Sequence, residues 1–97
     1  MPKAYWITCY RAISDPAKLA AYAKLAPPAV EPFGGRYLCR GTAQAAYEAG
    51  QKERVVISEF PSLAQAIAAH DSAGYQKALE ALGDGAVRDI RIIEGLE

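Results

Sequence analysis

The sequence predicts an α+β fold of the ferredoxin-like type, a four-stranded antiparallel sheet with its helices on one face. Two observations predict it. A strand pattern, a helical pattern and a second strand pattern follow one another over residues 4–40, and the same series is repeated over residues 54–94. In a β-α-β-β-α-β chain both crossovers turn the same way, so the helices lie on one side of the sheet. The opposite face then has no cover from the chain.

Length and charge restrict the function. The 97 residues have room for one domain, 1–97, with a single core. Eleven acidic and eleven basic residues give a net charge of zero, which provides no attraction to nucleic acid or to an anionic membrane. Met1–Lys3 leads directly into a strand, and no apolar run reaches the length of a membrane span. We therefore expect a cytoplasmic protein without a nucleic-acid or membrane partner.

The first half of the chain begins with a strand over Ala4–Tyr10. A helix follows, which Ser14 or Asp15 caps and for which Pro16 suits the first position. Prolines at positions 27, 28 and 32 interrupt the helical pattern, because proline lacks a backbone N–H and clashes with the preceding turn. We expect this helix to end near Leu25 and a separate turn to follow.

The rest of the chain contains three strands and a divided helix. Strands are predicted over Arg36–Arg40 and Arg54–Phe60, joined by a connection that is too long for a tight turn. Ser62 opens a capping-box pattern, and a break at Asp71–Gly74 divides the helical region that follows. The last strand is predicted over Asp89–Glu94.

Both faces of the predicted strands carry apolar side chains. One alternating set packs beneath the helices. The other set, which combines aromatic residues with Thr8, Ser58 and Arg91, has the composition of an interface. We therefore expect a homodimer in which two copies pack sheet to sheet.

The two cysteines, Cys9 and Cys39, lie on the first and second strands. In the strand order usual for this pattern one strand separates them, so their Cα atoms are about 10 Å apart, which is too far for a disulfide. We expect two buried, reduced thiols. No Cys-x-x-Cys or His-rich spacing is present, and the sequence predicts neither a metal site nor a cofactor.

Two residues are candidates for acid–base catalysis. His70, the only histidine, continues an apolar stripe at helical spacing and should point toward the sheet, where its pKa near neutrality suits proton transfer. Glu59 falls on an apolar face of the third strand. Plainer interpretations stay open: His70 as a half-buried residue bonded to backbone or water, and Glu59 as the ion-pair partner of Arg36 or Arg40. Together, His70 and Glu59 are the best candidates for a catalytic pair.

Aromatic residues are the candidates for ligand binding. Tyr75, Tyr5 and Trp6 lie on predicted helix and strand positions and could contact a flat organic molecule. Aromatic residues at these spacings also form ordinary core or interface contacts.

Several segments carry a family resemblance. FGGRYLCRG (33–41), YEAG (47–50), RVVISEFPSLAQA (54–66), DSAGYQKA (71–78) and IIEG (92–95) occur in this order. Together they resemble the domain of unknown function 1330 family of the dimeric α+β barrel superfamily. The resemblance implies a homodimer of ferredoxin-like subunits packed sheet to sheet and a cleft between sheet and helices, but no established activity. Superfamily relatives include cofactor-independent monooxygenases, muconolactone isomerases and haem enzymes.

The chain departs from the family pattern at three positions. Ala69 and His70 stand where bulky aromatic residues are usual, and Gly83 stands where an arginine is common. The small Ala69 implies extra space beside His70. Gly83 implies that any chemistry using that arginine is lost. Glu59, Tyr75 and Glu94 of the pattern are retained.

Two functions remain open from the sequence. One is a cofactor-independent enzyme that uses His70 and Glu59 for acid–base chemistry on a small organic molecule in the sheet–helix cleft. The alternative is a non-catalytic dimer that binds or senses such a molecule.

Overall fold

The structure is a computed structural model that describes residues 2–96. Its elements in chain order are β1 (Ala4–Ile13), α1 (Pro16–Val30), a 3-10 turn (Glu31–Phe33), β2 (Arg36–Thr42), β3 (Arg54–Phe60), α2 (Leu63–Asp71), α3 (Ala73–Leu82) and β4 (Ala86–Glu94). The strands form one antiparallel sheet in the order β2-β3-β1-β4. The predicted ferredoxin-like α+β fold is confirmed, and β1, β2 and β4 extend beyond their predicted bounds.

Helix α1 begins as predicted but ends later. Asp15 caps it, because its carboxylate accepts hydrogen bonds from two backbone N–H groups of the first turn. The predicted end near Leu25 is wrong, since α1 continues through Pro27 and Pro28 to Val30. Val30 is only 2% exposed, so burial of the last turn offsets the hydrogen bonds that the prolines remove.

Two serines organise the second helical region, for which the sequence predicts a cap at Ser62 and a break at Asp71–Gly74. The Ser62 hydroxyl accepts a hydrogen bond from the backbone N–H of Gln65 and donates to its side-chain oxygen, which forms the start of α2. Ser72 lies at the break between α2 and α3. Its hydroxyl accepts a hydrogen bond from the backbone N–H of Tyr75, so one residue ends α2 and caps α3.

The helices cover the face of the sheet that carries Trp6, Thr8 and Tyr10 of β1 and Ser58 and Phe60 of β3, all of them buried. The prediction that Thr8, Ser58 and the aromatic residues beside them form a dimer interface is therefore wrong, whereas Arg91 of the same predicted set lies on the opposite side of the sheet. Alternation separates the two faces of a strand but does not say which one meets the helices. The polar Thr8 and Ser58 suggested an interface, whereas each is only 5% exposed beneath the helices.

The opposite side of the sheet is called the open face below. It carries Tyr5, Ile7 and Cys9 of β1, Arg36 and Cys39 of β2, Val55, Ile57 and Glu59 of β3, and Val87, Asp89, Arg91 and Ile93 of β4. Both cysteines are free, as predicted, but they are exposed and not buried. The reason is that their strands turn them away from the helices.

Candidate functional site

A cleft lies between the sheet and α1. Thr8 and Ser58 lie at its base, and α1 contributes Ala23, Ala26 and Pro27. These side chains are too small to fill the space between helix and strands. The cleft has a volume of about 40 Å³. Its narrow interior suits a flat group better than a bulky one.

Aromatic rings form much of the wall of this cleft. Trp6, Tyr10 and Tyr37 contribute from the strands, and Tyr22 and Tyr75 contribute from the helices. The rings of Trp6 and Tyr75 meet edge to face, with their centres 4.8 Å apart. Both residues are predicted ligand-binding residues, so the structure brings these two together.

A pair of tyrosine hydroxyl groups lies at one end of the cleft. The hydroxyl oxygens of Tyr22 and Tyr75 are 2.7 Å apart, and Tyr75 is 1% exposed. Burial raises the pKa of the Tyr75 phenol well above its ordinary value, and the neighbouring Tyr22 acts in the same direction. Tyr75 therefore stays protonated at neutral pH and is able to donate a hydrogen bond.

Three arginines surround the aromatic walls. Arg40 and Arg54 line the cleft, with their guanidinium carbons 5.2 Å from the ring centre of Tyr37 and 5.9 Å from that of Tyr10. Arg88 lies over Tyr10 and Tyr22, at 5.6 and 4.7 Å. Burial raises the pKa of Tyr37 to about 12, although Arg40 acts the other way. The surroundings of the cleft are thus aromatic and cationic.

Sequence reasoning missed the place of these arginines in the site. A usable signal was present in the strand alternation, since Arg54 has the same parity as the buried Ser58. For Arg40 the signal was weaker, because β2 contains a register shift between Tyr37 and Cys39 that breaks its alternation.

His70 lies beside the cleft and not in its wall. Its ring centre is 5.5 Å from that of Trp6 and 5.3 Å from that of Tyr75. Its Nδ1 is 3.0 Å from a carboxylate oxygen of Asp71, and its side chain is 36% exposed. His70 thus contacts two wall residues from outside, and its predicted catalytic role stays a prediction.

Glu59 and Tyr5 lie on the open face, opposite each other on neighbouring strands. The Nε of Arg36 donates a hydrogen bond to the Glu59 carboxylate at 3.2 Å, and the Nζ of Lys3 is 3.5 Å away. This is the ion-pair interpretation left open above. Glu59 and His70 lie on opposite sides of the sheet, so the chain does not bring the proposed catalytic pair together.

Within residues 2–96, no three side chains of His, Cys, Asp or Glu come together as a metal-binding group. None of the helices in the same range is long and apolar enough to cross a membrane.

Comparison with family models gives one match, to the family described as Domain of unknown function (DUF1330), over residues 3–96. No curated protein gives a significant match to the sequence.

Solved structures share the fold over nearly the whole chain. A protein of unknown function from Rhodopseudomonas palustris has a TM-score of 0.76 at 18% identity, with 99% of this chain and 84% of that chain covered. SnoaB, a cofactor-independent oxygenase from Streptomyces nogalater, has a TM-score of 0.70 at 10% identity, with 100% and 96% covered. A dimeric ferredoxin-like protein of unknown function from Thermobifida fusca has a TM-score of 0.65 at 19% identity, with 96% and 91% covered. Identities this low show a common fold alone.

Proposed function

The chain belongs to the DUF1330 family, and from this premise we propose that it binds a small planar organic molecule in the cleft between the sheet and α1. The observation that carries the proposal is the cleft itself, a narrow, open space walled by aromatic rings. Small-molecule sites are typically concave and mostly apolar, with a few polar groups that orient the ligand. The Tyr22–Tyr75 hydroxyl pair supplies such groups here.

Binding without chemistry is favoured by the composition of the wall. The described residues that line the cleft include no histidine, aspartate or glutamate. A general base must lie within hydrogen-bond reach of the proton that it removes. The raised pKa of Tyr75 makes that residue a hydrogen-bond donor and not a base at neutral pH.

A cofactor-independent enzyme is the second candidate function. Its specific support is the cation of Arg88, which lies 4.7 Å from the ring centre of Tyr22, beside the paired hydroxyl groups. Donors and cations arranged in this way stabilise negative charge that develops on an oxygen atom of a substrate. The fold shared with SnoaB, which is described as a cofactor-independent oxygenase, adds support by analogy. In this version His70 would act on the site through Tyr75 or Trp6.

We also propose that two copies of the chain pair through the open face, and a cytoplasmic location remains our expectation. The open face carries exposed apolar side chains, among them Val87 at 59% and Ile93 at 60% exposure. The Thermobifida fusca protein of similar fold is described as dimeric.

The binding proposal is tested by filling the cleft. Ala23 lies in the cleft wall on α1, whereas Ala21 is exposed on the same helix outside it. We expect Ala23→Phe to abolish binding of two planar probes, 2-naphthamide and 2-naphthoate, and Ala21→Phe to leave it unchanged. The measurement is a titration followed by nuclear magnetic resonance, in which Trp6, the only tryptophan, gives a single indole N–H signal from the cleft.

Failure of both probes to shift the Trp6 signal would contradict the proposal, as would binding that Ala23→Phe does not affect. The hypothesis of a cofactor-independent enzyme requires a further measurement. A probe that binds and is recovered unchanged after long incubation in air supports binding alone, whereas turnover that Tyr22→Phe removes supports catalysis.

A further inference from the structure

The arginines of the chain differ between the two faces of the sheet. Around the open face, each arginine pairs with a carboxylate. Arg11 lies 3.3 Å and Arg91 lies 3.1 Å from oxygens of Asp89, and Arg36 lies 3.2 Å from an oxygen of Glu59. Each of these three arginines therefore has a carboxylate partner within the chain, and two of them share Asp89.

The three arginines beside the cleft have no such partners. Within residues 2–96, Arg40, Arg54 and Arg88 form no ion pair with a carboxylate. The cleft wall also contains no aspartate or glutamate among these residues. A guanidinium group cannot be deprotonated in a protein, so the positive charge on this side is permanent, and within the described part of the chain no carboxylate is paired with it.

Arg40 and Arg54 are close neighbours on adjacent strands. Arg40 is opposite Val56, and Arg54 is opposite Thr42, so the two arginines are diagonal neighbours on the helix-facing side of β2 and β3. Diagonal neighbours in an antiparallel pair are about 7–8 Å apart. This is a spacing of Cα atoms, and arginine side chains are long enough for groups on such positions to meet at one anion, which would offset the repulsion between them.

The side chain of Arg54 also carries an unsatisfied donor. Its Nε atom is buried and has no hydrogen-bond partner within residues 2–96. One terminal nitrogen of Arg88 is likewise buried without a partner in this range. Buried donors in proteins nearly always have an acceptor. Arg54 reaches the interior of the cleft, while Arg40 is exposed at its mouth. The two therefore define an inner and an outer contact for a negatively charged group.

We propose, on the basis of the proposed function, that the ligand is a small planar organic anion, a carboxylate on an aromatic or conjugated ring, whose carboxylate is bound by Arg54 and Arg40. Arginine binds carboxylates through two parallel hydrogen bonds, which fixes orientation as well as charge. The ring of the ligand packs against Tyr37 and Trp6. The Tyr22–Tyr75 hydroxyl pair donates to a second oxygen substituent where the ligand carries one.

The walls favour an organic anion over an inorganic one. Arg40 and Arg54 both pack on aromatic rings, so part of their hydration is replaced by apolar surface. Phosphate or sulfate would gain the charge contacts but would make no apolar contact with the aromatic walls of the cleft. A planar acid uses both the cations and the rings.

The test compares matched probes on the intact protein. The probes 2-naphthoate and 2-naphthamide have nearly the same size and shape and differ in charge. We expect the wild-type protein to bind 2-naphthoate at least about tenfold more tightly than 2-naphthamide, with a shift of the Arg54 Nε–H resonance. Arg54→Met should remove this preference and leave the affinity for 2-naphthamide within about twofold of the wild type.

Two further variants complete the design. Arg40→Met replaces an exposed side chain, tests the outer contact, and keeps the proposal falsifiable if Arg54→Met does not fold. Lys24→Met removes one positive charge from an exposed position on α1 outside the cleft wall, and should leave the preference unchanged.

Equal binding of the two probes in the cleft would overturn this inference and leave the proposed function intact. Absence of any binding would overturn both. Inorganic phosphate that binds as tightly as 2-naphthoate would show a general anion site and would also overturn the inference. A preference for 2-naphthoate that survives both arginine substitutions would show that other residues provide the recognition.

Discussion

Tyr22 and Tyr75 share one hydrogen bond but differ in their surroundings. Tyr75 is 1% exposed within the core, whereas Tyr22 is half-buried on α1 at the cleft. The cost in stability of losing the partner's hydroxyl group therefore differs between the two residues. A buried hydroxyl without a partner keeps its full desolvation cost, while one beside a water-filled cleft can bind water instead.

From this difference we expect Tyr22→Phe to destabilise the protein more than Tyr75→Phe. The expected losses in free energy of unfolding are about 2 and about 1 kcal/mol, because only the first leaves a buried hydroxyl unpaired. The double variant should lose less than the sum of the two. Urea unfolding of the three variants measures this, and equal or reversed losses would contradict the asymmetry.

Glu59 provides a prediction for pH dependence. Burial acts to raise the pKa of its carboxyl, but the charges of Lys3 and Arg36 outweigh burial and lower that pKa. A lowered pKa in the folded protein means that the ion pairs stabilise the fold above the ordinary pKa of glutamate. This stabilisation is lost as the pH falls through the lowered value.

Glu59→Gln should therefore be less stable than the wild type at neutral pH, and the difference should shrink toward zero as the pH falls well below about 4. Free energies of unfolding across this range provide the measurement. Glu80→Gln changes the same charge at an exposed position on α3 and is the control. A difference for Glu59→Gln that grows in acid would show that the ion pairs do not act in this way.

At the scale of elements, α1 is unusual because two adjacent prolines lie inside it. Pro27 lines the cleft, whereas Pro28 is exposed. The backbone nitrogen of Pro28 cannot donate the helical hydrogen bond to the carbonyl of Lys24. The helix is held instead by its buried side chains, among them Ala26 and Val30.

Pro28→Ala should restore that hydrogen bond and raise the free energy of unfolding by about 2 kcal/mol, after allowance for the greater flexibility of the unfolded chain. Pro16→Ala is the matched control. Proline is favourable at the first helical position, so this change should give no gain. Thermal or urea unfolding distinguishes the two variants, and a loss of stability in Pro28→Ala would mean that α1 depends on the proline.

Features that depend on bonds between nearby residues were predictable from the sequence, whereas features that depend on distant packing were not. The caps at Asp15, Ser62 and Ser72 depend on bonds over two or three residues. The sequence predicted the cap at Ser62, a cap at Ser14 or Asp15, and a break at Asp71–Gly74 where Ser72 lies. The end of α1 was not predicted correctly, because burial of Val30 against the rest of the core outweighs the local effect of the prolines.

The site was predicted in part for the same reason. Trp6 and Tyr75 were identified because aromatic residues at strand and helix positions suggest a wall for a flat ligand. The assignment of faces required knowledge of which side the helices cover, and period-two alternation does not contain it. Because the side that the helices cover was unknown, the sequence analysis assigned Glu59 to the cleft and did not assign Arg54 to it.

At the scale of the whole molecule, the chain is a two-layer slab with principal extents of 37, 33 and 15 Å. The helices occupy one side of the sheet, and the open face occupies the other. A second copy packed on the open face would bury its apolar side chains without touching the clefts, which would lie on the two outer sides of the dimer.

Ile93→Asp tests this arrangement. Ile93 is 60% exposed on the open face, so an aspartate there should be tolerated by one chain but should oppose pairing, because it would bury a charge. We expect a dimer for the wild type and a monomer for the variant in light scattering at micromolar concentration. Ile67→Asp, on α2 at 45% exposure, should remain dimeric. A monomeric wild type would refute the proposed pairing.

The alternation of β1 has a consequence for how such a chain can change over evolutionary time. Trp6 and Thr8 face the cleft, while Tyr5 and Ile7 face the other way. Under the two proposals, ligand binding and pairing of two copies would depend on alternate residues of one short segment, and a point substitution would alter one while sparing the other. An inserted or deleted residue ahead of Trp6 would exchange all of these positions at once. The segment can therefore tolerate many replacements but hardly any change in length.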